Sequence, residues 1–194
     1  PPVRAARLLL VALVACAVVA VAPLAGQPPA GKDAKADPDL ERLQGDWDVT
    51  KFEVFGLDDL PPSVWKGLTI SVRGSRITAQ VTGPDGAKNR PTLGDLVLDS
   101  TRTPRLMDVY GVDEKGERLR VWKKSPAAGT LIDDGPEPPA RAIYQLDAGK
   151  LLICGALTYT ADRPTQFKAV AMPNPKGTGV GDRGYALVEL SKKK

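Results

Sequence analysis

The chain has 194 residues, enough for one domain with a sizeable core, and it carries a formal charge of +4 with no histidine at all. The missing imidazole removes Ser-His-Asp and Cys-His catalysis, the usual histidine metal sites and the commonest general base. Two cysteines, Cys16 and Cys154, are too few for a thiolate zinc site, and no basic stripe interleaved with aromatics marks nucleic acid as a partner.

Residues 1–26 carry Arg4 and Arg7, then an apolar run from Leu8 to Ala22, then small residues before Gln27. That layout predicts a secretory signal peptide. The expected location is extracytoplasmic: periplasmic, cell-envelope or secreted. Leu13-Val14-Ala15-Cys16 also fits a lipobox, but the mostly apolar stretch after Cys16 stands where a lipoprotein turns polar. Contact with a membrane is therefore expected only if the N-terminus is retained or lipidated at Cys16. Removing Arg4 and Arg7 with the signal takes the charge from +4 to +2. Residues 27–39, QPPAGKDAKADPD, have no periodicity and read as a flexible linker.

The domain spans 40–194. It opens on a short helical turn in DLERLQG, with Asp39 as the expected cap. Strand signals then dominate. In 46–55, Trp47 and Val49 fall on one alternation face and Phe52 and Val54 on the other, so a β-bulge near Lys51 is expected. Residues 57–66 read as a helical turn with Pro62 near its start. Residues 68–72 and 77–81 alternate around Arg73-Gly74-Ser75 as a hairpin. Strands follow at 93–98, 105–112 and 118–123, and residues 125–139 read as a long loop. A second hairpin, 141–146 with 150–156, turns at Asp147-Ala148-Gly149. Residues 166–172 and 184–190 complete the strands, on either side of a Gly-rich loop that precedes a strand and so opens no phosphate-binding helix. Nine or ten short strands with turns every 8–12 residues describe an antiparallel barrel or sandwich, all-β.

The order of motifs LQGDWDVTKFEVFG (43–56), PPSVWKGLTISV (61–72), STRTPRLMDV (100–109), RAIYQLDAGKLLIC (141–154) and RPTQF (163–167) resembles a lipocalin-like family of uncharacterised domains expanded in planctomycete bacteria. Gln166 stands where that family usually has Glu. The resemblance implies an antiparallel up-and-down lipocalin-like barrel of about 8–10 strands with one short helical turn, behind an export signal. It implies no known activity. It also gives Gly45 and Trp47 a structural role: in lipocalins a Gly-x-Trp plugs the closed end, under a cation from the last strand. Here Lys192 or Lys193 would supply that cation.

Cys154 lies in the apolar strand KLLICGA and reads as a small buried hydrophobe. Phe167 reads as packing. Asp108, Tyr144 and Arg163 are candidate ligand-binding residues: a carboxylate and a phenol able to point into a cup, and a guanidinium fork able to grip an anion. Each has a structural counterpart, and Arg163 is the natural ion-pair partner for Asp108. Ala79, Thr78, Gln80 and Ala142 are the small or polar residues that hint at a cup. Asp133-Asp134-Gly135 has too few oxygens for calcium. No cofactor, metal or catalytic constellation is expected. The sequence thus points to an exported binding module for a small apolar or amphipathic ligand. The alternative is a filled barrel that serves a structural role or meets an envelope protein through its loops.

Overall fold

The computed structural model describes residues 37–54, 62–83, 85–124, 131–156, 162–171 and 184–193. The expected signal peptide and nearly all of the expected linker lie outside the described residues.

A short helix, α1 (Pro38–Leu43), leads into β1 (Gly45–Val54). Then come α2 (Pro62–Trp65), β2 (Leu68–Arg73), β3 (Arg76–Val81), β4 (Thr92–Asp99) and β5 (Arg105–Val112). The chain continues through β6 (Arg120–Lys124), β7 (Leu131–Pro136), β8 (Ala140–Asp147), β9 (Lys150–Ala156), β10 (Val170–Ala171) and β11 (Gly184–Lys192). Eight of these strands form one antiparallel wall in the order β1-β2-β3-β4-β5-β8-β9-β11, and pairing of β1 with β11 closes it into a barrel. Closure removes the exposed edges that an open sheet of this length would present.

The wall exists because alternation is kept strand by strand. Leu68, Ile70 and Val72 bury one face of β2 while Thr69 and Ser71 remain on the other. The β1 register slips between Val49, opposite Leu190, and Lys51, opposite Glu189. Thr50 is the extra residue, so the expected bulge is present. It is what allows Trp47, Val49, Phe52 and Val54 all to be buried in one core despite their mixed parity.

Three readings are corrected. Residues 131–136, expected within a long loop, form β7. It pairs with β6 as a separate two-stranded sheet inserted between β5 and β8, where Arg120 meets Asp133. Residues 166–172 were expected as a strand, yet among the described ones, 166–171, only Val170–Ala171 pair, with Tyr185 and Gly184. Residues 162–169 instead run irregularly over the outer wall, because Phe167 and Ala169 bury themselves against wall side chains rather than joining a ladder. Lastly, α1 is capped by Asp37, whose carboxylate accepts the Asp39 amide at 2.9 Å, and Asp39 is free to turn inward.

The strand directions give the barrel two unlike ends. At one end the strands are joined by tight connections at 74–75, 100–104 and 148–149, and α1 sits there. The longer connections leave from the other end.

Candidate functional site

The end bearing α1 is sealed. Trp47 is fully buried, and its indole N–H donates to the Leu43 carbonyl at 2.9 Å. Lys192 Nζ lies 5.6 Å from the centre of the Trp47 ring and donates to the Arg42 carbonyl. Of the two candidate cations, Lys192 lies over Trp47, while Lys193 pairs with Asp48. Gly45 has φ +120, a conformation that suits glycine.

Sequence reasoning missed the residue at the centre of this seal. Asp39 is 3% exposed. Its Oδ2 accepts from the Tyr144 hydroxyl at 3.0 Å and from Arg105 at 2.9 Å, and its Oδ1 accepts from Arg42 at 2.8 Å. Arg42 also reaches the Leu146 carbonyl, and Asp37 accepts the Ser100 amide. A buried carboxylate needs such partners to hold its charge. The available signal was spacing: Asp39 and Leu43 stand four apart and share a helix face, and Leu43 was plainly apolar. Tyr144, a ligand candidate, is 1% exposed and committed to Asp39. Burial first, then the hydrogen bond and the charge of Asp39, push its phenol pKa up.

Away from the seal the inner face is apolar. Leu146, Leu151, Leu190 and Val49 form one cross-strand row near α1. Two rows further on stand Ala142, Gly155 and Ala186, in one cross-strand row with the larger Val54 and Met107. Ala79 also faces inward, but Thr78 and Gln80 alternate with it and face out. Ile77, Leu98, Val109 and Ile153 pack against the core and yet keep partial exposure. Ile77 and Leu98 stand beside the tight connections at 74–75 and 100–104, at the α1 end. Trp65 of α2 packs against the core from the end opposite α1.

Asp108 and Arg163 lie elsewhere. Met107 and Val109 turn to the core, so Asp108 between them faces outward. Arg163 donates to it at 2.5 Å and, through its other terminal nitrogen, to the carbonyls of Met107 and Ala142 at 3.0 and 2.7 Å. Those carbonyls belong to paired residues of β5 and β8, so one guanidinium spans that seam. Beside it runs an outer apolar row, Leu106, Ile143, Cys154 and Leu187, each opposite the next on adjacent strands. Phe167, Ala169 and Tyr185 pack on this row. Cys154 is fully buried, its Sγ meets the Lys168 carbonyl at 3.6 Å, and burial pushes the thiol pKa up. Tyr144 and the Asp108–Arg163 pair therefore stand on opposite faces of the wall and do not converge on one pocket.

Asp133 is held by Arg120 and accepts the Gly135 amide, both of which lower its pKa. Among the described residues no group of three His, Cys, Asp or Glu could hold a metal ion. No family model, curated protein or solved structure matches the chain.

Proposed function

We propose that this protein is an exported, lipocalin-like binding module that takes a small apolar or amphipathic ligand into its lumen from the end opposite α1. The observation that carries the reading is an eight-stranded antiparallel wall closed by β1–β11 pairing around an apolar inner face. The one-sided seal supports it too, since a barrel plugged at one end can hold a ligand from the other. Specificity would come from the connections around the open end.

Titration with an environment-sensitive alkyl fluorophore tests this. Saturable, blue-shifted emission is expected from the wild type. Gly155→Phe should abolish it while the barrel stays folded, because a β-carbon there meets only Ala142 Cβ, at 3.6 Å, and the ring enters the lumen. No saturable signal from the wild type would remove the reading. A second reading, a filled barrel that docks an envelope protein, draws its support from β7, where Leu131 and Ile132 are 57% and 53% exposed.

A further inference from the structure

We propose that residues 162–169 are a releasable strap, pinned by Arg163, that opens independently of the barrel and controls access to the outer apolar row holding Cys154. The strap runs between β9 and β10 yet joins neither ladder. Among the described residues its backbone makes one main-chain hydrogen bond, Lys168 N–H to the Gln166 carbonyl, and that bond lies within the strap itself. Among the described residues, its hold on the wall is made mostly through side chains. Arg163 supplies three hydrogen bonds to β5 and β8. Pro164 is fully buried, and Phe167 and Ala169 cover the row. The strap's Lys168 carbonyl accepts from the Cys154 thiol.

The barrel beneath has a different kind of stability. Ile143, Cys154 and Leu187 sit on strands paired along their length to neighbours on both sides. Among the described residues, opening the strap breaks one ion pair, two bonds to carbonyls, the thiol bond to Lys168 and one patch of apolar contact. Opening the wall breaks continuous ladders. Segments with few backbone bonds to the rest of a fold open first and alone. Arg163 is the pin because, among the described residues, it makes three of the strap's polar bonds to the wall and its fork spans two strands at once.

The thiol of Cys154 reports the motion. The full chain is treated with N-ethylmaleimide in native buffer, and alkylation is followed at peptide resolution so that Cys16 and Cys154 are read separately. Amide hydrogen exchange of β8, β9 and β11 is measured in parallel. Cys154 of the wild type should react faster than the most protected wall amides exchange. Arg163→Ala should raise that rate roughly tenfold or more while wall protection is unchanged, with Arg163→Lys in between. Asp108→Asn, which spares both carbonyl bonds, should give a smaller rise and serves if Arg163→Ala does not fold. Cys154 alkylation that tracks wall-amide exchange in the wild type and in the variants would overturn the proposal, because the strap would then open only with the barrel.

Discussion

A β-carbon on Gly45 would stand 3.0 Å from Cε of Lys192, the residue whose amine covers Trp47. The first strand and the last are fitted to each other at this point, and the fit needs a residue without a side chain. Gly45→Ala should cost about 1–3 kcal/mol, from the positive φ and the contact together. Lys192→Ala should cost about 0.5–1 kcal/mol, as an exposed cation–aromatic contact does. In the Lys192→Ala background the Gly45→Ala cost should shrink, and urea denaturation of the four proteins measures that coupling.

Asp39 should be the most sensitive position in the seal. Asp39→Ala leaves the buried Tyr144 hydroxyl without its acceptor and strips Arg42 and Arg105 of their shared carboxylate. A loss of about 2–4 kcal/mol is expected, since Arg42 and Arg105 are exposed enough for water to serve them in part. Tyr144→Phe keeps both ion pairs and should cost about 1–2 kcal/mol, read from the same denaturation curves.

Alkaline pH should test Tyr144 separately. Its folded-state pKa is raised above the ordinary 10.0, so above that pH the unfolded chain releases a proton that the native state keeps. The unfolded state then binds fewer protons, and stability falls as pH rises. This contribution is fully present below pH 10.0 and declines steadily above it. Tyr144→Phe should therefore lose less stability than the wild type between pH 10.0 and about pH 12, by urea midpoints at each pH.

Thr50 sets the parity of β1. Deleting it would restore a regular ladder with β11 and turn either Trp47 and Val49 or Phe52 and Val54 out of the core. The deletion should abolish the folded state, judged by loss of amide dispersion in nuclear magnetic resonance spectra. Thr50→Val keeps the residue count and should be within about 0.5 kcal/mol of wild type.

These positions also show what a sequence can carry. The bulge was legible because Trp47, Val49, Phe52 and Val54 are all large and apolar, and only a parity change places them in one core. The plug was expected only through the lipocalin resemblance, and the last strand offered both Lys192 and Lys193 as its cation. Asp39 was not legible as a buried residue, because its partners Arg105 and Tyr144 lie 66 and 105 residues away and only the closed barrel brings them together. The strap was misread for a related reason. Residues 166–172 have strand-like composition, but whether their apolar side chains join a ladder or cover a wall depends on what the wall exposes. The outer row Leu106, Ile143, Cys154 and Leu187 comes from four strands, and no local pattern announces it.

The most direct measurement on the central claim is native mass spectrometry of the protein, purified gently and without detergent. A retained apolar mass is expected that dissociates on activation, is restored from a lipid and small-metabolite extract, and is absent from Gly155→Phe. A wild-type protein that stays bare against that extract would contradict it, and would mean that the lumen is filled and the barrel acts through its surface.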